Sequence, residues 1–165
     1  MAACGHVCIM LIFILLLLTG NVKSCNTVQV KRNKFSIAHL NICGLLGKID
    51  MLSLFVTQEN FDVFAVSETL LKDSIPSELI NIPGYNLERK DRLKLGGGVG
   101  IYIKENTSYI RRQEFENVDI EFICLEILSK HTKPYFLCVL YRPPKSSKHT
   151  CKNFIKVFDN VLSKM

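Results

Sequence analysis

The sequence lacks several common functional signatures. None of its seven cysteines forms a C-x-x-C pair, which argues against a zinc site. Gly96-Gly97-Gly98-Val99-Gly100 fails as a dinucleotide fingerprint, because Ile101 stands where the last glycine belongs and no helix opens there; a tight hairpin is the simpler use. No P-loop lysine pattern, internal repeat or low-complexity linker occurs. The longest uninterrupted apolar run, residues 8–18 (CIMLIFILLLL), is shorter than the roughly 20 residues of a membrane-spanning helix.

That run has the length of a signal-peptide core, and Val22-Lys23-Ser24 offers a cleavage site before Cys25. The segment before it carries His6 but no Lys or Arg. Three readings stay open for residues 1–24: a secretory signal, an uncleaved anchor, or a first-exon artefact. Membrane contact is expected only through this segment, if it is uncleaved. Lys23 is its one charged residue, so removal lowers the net charge of +6 by one and leaves a single domain's length. The basic excess suits a polyanion but is also ordinary for a basic domain. Removing residues 1–24 leaves an odd number of cysteines, which argues against a disulfide framework. Cys124 and Cys138 lie in apolar strand-like runs and read as small hydrophobes. Asn106-Thr107-Ser108 is a glycosylation sequon with meaning only in a secreted chain.

Residues 25–34 read as a basic connection, and residues 35–165 as one domain. Residues 35–68 form its organising unit, a strand, a helix and a strand. Leu45, Ile49, Leu52 and Val56 share one helical face, and residues 62–68 (DVFAVSE) have a buried-strand signature. Such a unit makes its two strands parallel, so Asn41 and Glu68 are expected at one edge of the sheet, where open α/β sheets bind ligands. One helical turn from Pro76-Ser77-Glu78 and a strand over 85–89 follow. A charged loop holds Arg89, Lys90, Asp91, Arg92 and Lys94. Strands are expected over 99–104, 108–115 and 119–128. In the last of these Ile120, Phe122, Cys124 and a tail of Ile127 and Leu128 are taken inward, with Glu121 and Glu126 outward or at edges. Residues 134–141 (PYFLCVLY) read as a central strand buried on both faces, ending in Tyr141. Residues 145–149 read as a loop, and Phe154, Phe158 and Val161 mark a final amphipathic helix after which a further strand would be expected. The whole pattern is an α/β (α+β) chain with two face-to-face sheets and outer helices.

Three strand ends thus offer an amide, a carboxylate and a phenol. A carboxylate with neutral oxygens suits a hard cation such as Mg²⁺. Asn41 in HLNICGL, Glu68 in VSETLL, Arg92 in ERKDRLKLGGGVGIYIK and Tyr141 in VLYRPP also occur in the order and approximate spacing of one family. From residue 35 to the C-terminus the chain resembles the endonuclease domain of non-LTR retrotransposons, a branch of the endonuclease/exonuclease/phosphatase superfamily. The resemblance implies a four-layer αββα sandwich that hydrolyses phosphodiesters of DNA with Mg²⁺ and no small-molecule cofactor. It implies that Glu68 is a metal ligand and Asn41 supports metal or phosphate. It places Tyr141 at the scissile phosphate, and Arg92 and Arg142 at phosphate contacts or loop anchors. An internal salt bridge is the alternative for the arginines.

The departures count against activity. The family's Gly-Asp-x-Asn and Ser-Asp-His segments have no match: Asp159, followed by Asn160, is the one Asp after Tyr141, and His131 and His149 fit neither pattern. The expectation is an incomplete sandwich and a truncated, inactive nuclease domain. The alternatives are a non-catalytic nucleic-acid-binding remnant, resting on Arg89, Arg92, Arg111, Arg112 and Arg142, and a small secreted protein on a decayed nuclease fold. The N-terminal segment points to secretion and the resemblance to the nucleus.

Overall fold

Two short apolar runs separated by an amphipathic helix begin the fold. β1 (Ile37–Asn41) and β2 (Val63–Ser67) pair in parallel, with Ile37 opposite Val63 and Asn41 opposite Ser67. Between them a 3-10 turn, Leu46–Lys48, leads into α1 (Ile49–Glu59). Leu45, Leu52 and Val56 are buried on the expected face and Ile49 packs against them. The helix stops at Asn60, which takes a left-handed conformation (φ 56°) and returns its N–H to the Val56 carbonyl at 3.0 Å; asparagine tolerates this cap well. The computed structural model describes residues 35–92, 96–117, 120–128, 133–142, 155, 156, 158–161 and 163. The segment readings for 1–24 and 25–34, and the readings of Lys94, His131, His149 and the 145–149 loop, lie outside the described residues.

A 3-10 turn at Ser77–Ile80 precedes β3 (Tyr85–Lys90), so the strand expected over 85–89 extends by one residue and takes Lys90 from the expected loop. β3 pairs antiparallel with β4 (Val99–Lys104), which in turn lies antiparallel to β2. The first sheet therefore runs β1-β2-β4-β3. The second sheet runs β5-β6-β7, all antiparallel: β5 (Tyr109–Arg111), β6 (Glu121–Ile127) and β7 (Tyr135–Tyr141). Only three residues of the expected 108–115 strand pair, and Gln113–Phe115 form a 3-10 turn.

Apolar clusters hold the layers together. On the outer face of the first sheet, Leu52 and Val56 of α1 meet Ala38, Phe64, Val66 and Tyr102. Between the sheets, Val63, Ala65, Ile101 and Ile103 meet Ile123, Leu125, Leu137 and Val139. On the outer face of the second sheet, Phe122, Cys124 and Leu140 meet Phe158 and Val161 of a helical segment near the C-terminus. The result is a mixed α+β sandwich of two sheets with helices outside. β2 is buried on both faces, which is why its run VFAVS shows no polar alternation.

Two orientations differ from the sequence reading. In β6 the residues between the sheets are Ile123, Leu125 and Ile127, whereas Phe122 and Cys124 face the C-terminal helical segment. Glu121 shares the parity of the first set and is buried, not outward. β7 pairs with β6 alone among the described residues, so it is the end strand of its sheet rather than a central one. Its burial comes from packing against the first sheet on one face and the helical segment on the other.

Candidate active site at the strand ends

The parallel register of β1 and β2 brings both carboxyl ends to one rim. Backbone pairing then continues past the strands. Ile42 N–H donates to Ser67 O (2.9 Å), Gly44 N–H to Glu68 O (2.8 Å) and Leu45 N–H to Thr69 O (2.9 Å). From the other side Thr69 N–H donates to Gly98 O (3.3 Å) and Leu70 N–H to Gly97 O (2.9 Å). Residues 67–70 are thus clamped between two segments. The clamp holds three non-glycine residues at positive φ: Cys43 (45°), Glu68 (53°) and Leu70 (53°). Each such residue costs on the order of 1–3 kcal/mol and persists only where its surroundings enforce it.

The Tyr141 hydroxyl, at the end of β7, donates to Glu68 Oε1 at 2.9 Å. This bond joins residues 73 positions apart and ties the rim of one sheet to that of the other. Asn41 lies at the same rim, opposite Ser67, and its Oδ1 accepts from Cys43 N–H at 3.3 Å. Lys48 Nζ donates to the carbonyls of Ile42 and Cys43, which places a cation beside Asn41. Arg142 follows Tyr141 directly, half-buried.

Arg92 takes the alternative the sequence left open. Its Nε meets Glu121 Oε1 at 3.1 Å in an internal ion pair. Glu121 stands opposite Tyr141 in the β6–β7 register, and its Oε2 accepts from Gly98 N–H at 2.6 Å. Burial raises its carboxyl above the usual range; the Gly98 N–H, Arg92 and Lys90 oppose that, and the nearby Glu68 charge adds to it. The rim therefore holds a second, buried acid, which the sequence reading places outward or at an edge. The signal was present: Ile123, Leu125 and Ile127 alternate with Phe122 and Cys124, both sets apolar, so β6 leaves no solvent face for Glu121.

The other arginines proposed for nucleic acid are engaged within the fold. Arg89 binds the Asp91 carboxylate and the carbonyls of Ile75 and Lys72. Arg111 bridges Glu88 and Glu116, and Arg112 binds Glu126. A basic DNA-binding face built from Arg89, Arg111 and Arg112 would have to break these pairs.

The glycine turn is sterically bound to the site. Gly98 has φ 87°, and a Cβ there would run into Thr69 Oγ1. Gly98→Ala should cost about 2 kcal/mol, read as a lower urea midpoint. Gly47→Ala meets no atom within 4 Å and serves as the control.

Among the described residues no three His, Cys, Asp or Glu side chains gather into a metal cluster. The rim does carry a carboxylate and an amide oxygen, Glu68 and Asn41, which is the type of donor that Mg²⁺ takes when waters and phosphate complete its shell.

No family model matches the sequence, and no curated protein does. Among solved structures the chain is similar to the endonuclease domain of TRAS1, a telomere-specific non-LTR retrotransposon. The TM-score is 0.57 at 10% identity over 78% of this chain and 54% of that one. It is also similar to the AP endonuclease LMAP from Leishmania major, with TM-score 0.59 at 18% identity over 84% of this chain and 53% of that one. The chain spans about half the length of both structures. Its fold is the sandwich of the endonuclease/exonuclease/phosphatase type.

Proposed function

We propose that residues 35–165 carry one portion of a DNA phosphodiesterase site of retroelement descent, and that this chain alone engages DNA without cleaving it. The observation that carries the reading is the Tyr141–Glu68 hydrogen bond, which joins the strand ends of both sheets at one rim. The two similar structures are, by description, the endonuclease domain of a telomere-specific non-LTR retrotransposon and an AP endonuclease, which supports DNA as the partner.

In this reading Glu68 and Asn41 would hold Mg²⁺, which when bound neutralises phosphate charge. Tyr141 orients the Glu68 carboxylate through their shared hydrogen bond. Arg142 stands next to Tyr141 as a phosphate contact. Arg92 acts on the site indirectly, by holding Glu121 against the glycine turn. The Gly-Asp-x-Asn and Ser-Asp-His segments, to which the resemblance assigns the activation of water, do not occur in this sequence. Loss of a positioned acid or base typically costs about 10²–10⁴-fold in rate, and loss of several members of one constellation leaves little activity.

The purified chain, incubated with supercoiled plasmid and Mg²⁺, should produce no nicking above buffer. Nicking that disappears in Glu68→Ala would overturn the claim of inactivity. Mg²⁺ should strengthen binding to a short duplex, and Glu68→Ala should remove that gain. An equal Mg²⁺ response in both proteins would overturn the metal and phosphate assignment.

A further inference from the structure

Cys124 and Cys138 sit opposite each other on neighbouring strands, with their sulfurs 3.3 Å apart and the Cys138 thiol donating to the Cys124 sulfur. The hydrogen-bond pattern of β6 defines the kind of pair they form. Arg112 N–H donates to Cys124 O, and Leu128 N–H donates to Ser108 O. The backbone groups of the even-numbered β6 residues therefore point toward β5. Seen from β7, Cys124 and Cys138 are a non-hydrogen-bonded pair. Such pairs bring Cα atoms to about 4.5 Å, the closer of the two antiparallel spacings. Disulfides accept Cα separations of about 4.4–6.8 Å. The strand backbones thus pair in a geometry that a disulfide accepts, and the sulfurs, in contact at 3.3 Å, close to a bond by side-chain rotation.

We propose that Cys124 and Cys138 form a cross-strand disulfide when the chain meets a small-molecule disulfide oxidant. Cys138, partly buried where Cys124 is fully buried, is the more accessible of the two and reacts first. Its thiolate attacks one sulfur of the oxidant, forming a mixed disulfide and releasing one thiol. The Cys124 thiolate then attacks the Cys138 sulfur and releases the second thiol. The two cysteines lose two electrons to the oxidant, and their two protons end on the released thiols. The hydrogen bond to Cys124 and burial both push the Cys138 thiol up. Reaction at neutral pH is therefore slow and accelerates as pH rises.

The bond would staple the strand that carries Tyr141. β7 pairs only with β6 among the described residues, so its hold on the second sheet rests on that one ladder. Cys138 lies three residues before Tyr141, and the cross-link would resist fraying of β7 away from the rim.

The test uses the full chain treated with oxidised glutathione at mildly alkaline pH, then alkylated, digested and mapped by mass spectrometry. The expected result is a linked peptide pair joining Cys124 to Cys138, reversed by a reducing thiol. The oxidised chain should also melt roughly 5 °C higher than the reduced chain, a shift absent in Cys138→Ala. Recovery of both cysteines as alkylated thiols after other cysteines have oxidised would overturn the proposal. So would their linkage only to other cysteines. Because the mapping is done on the unsubstituted chain, the result stands even if Cys138→Ala fails to fold. It is also independent of any nuclease ancestry.

Discussion

Glu121→Ala should destabilise the fold by about 3 kcal/mol, read as a shift in urea midpoint at constant slope. Glu121 is 9% exposed and serves two partners. Its removal leaves the Arg92 guanidinium, whose side chain is 28% exposed, without its carboxylate, and leaves Gly98 N–H without an acceptor. Breaking one side of a buried pair costs far more than the pair contributes, because the surviving charge stays partly desolvated. Glu121→Gln separates the two losses. It retains an oxygen for Gly98 N–H while losing the ion pair, and should fall between wild type and alanine. Glu114→Ala gives the contrast: its side chain is 56% exposed and Arg112 keeps Glu126 as a partner, so the unfolding curve should stay where it is. The damage should also reach the rim. Gly97 and Gly98 accept the backbone bonds of Leu70 and Thr69, so loosening that turn releases one side of the clamp that holds Glu68 at positive φ.

The parts legible in the sequence were those whose signal is local. The spacing of Leu45, Ile49, Leu52 and Val56 declares a helix face, and VFAVS between turn-forming residues declares a buried strand. A strand–helix–strand unit then leaves little choice but a parallel pair with its ends together. Orientation in β6 was not legible, because both faces of EFICLEI are apolar and alternation cannot decide which faces the other sheet. The two apolar faces of β6 already left Glu121 no solvent side, but its partner, the Gly98 N–H 23 residues away, is something periodicity does not see. The same limit applies to Arg89, Arg111 and Arg112. Basic residues read as a DNA surface until their carboxylate partners, some more than ten positions distant, are placed. The positive φ of Glu68 was equally hidden, since nothing in its residue type demands it. At the rim, the pairing of Glu68 with Tyr141 spans two sheets; reading both as polar strand ends associated them loosely, and the resemblance carried by SETL and YRPP did so more firmly, before the fold was in hand.

Acid should unfold the chain through His39 before it titrates most carboxylates. His39 is 6% exposed in β1, and its Nε2 has no hydrogen-bond partner among the described residues. Burial pushes its imidazole down from 6.5 to about 4, because a buried cation would lose hydration with nothing to replace it. The folded chain thus keeps His39 neutral, whereas the unfolded chain takes up a proton below pH 6.5. Stability is present in full above pH 6.5 and falls as pH drops toward 4, by about 1.4 kcal/mol per unit and about 3 kcal/mol in total. Asp62 acts in the same direction at lower pH, since its bonds to Ser36 and Lys104 hold its carboxyl below the usual value despite burial. Glu121 acts in the opposite direction, because its raised carboxyl favours the protonated folded form. His39→Phe isolates the histidine. It keeps an aromatic ring at a buried position and removes the titrating group, while both carboxylates remain. Urea unfolding at a series of pH values between 7 and 4 should show a steep decline in wild type and a curve flatter by about 3 kcal/mol in His39→Phe. Parallel curves would mean that His39 is protonated as readily in the fold as in the unfolded chain, and the assignment of acid sensitivity to β1 would fail.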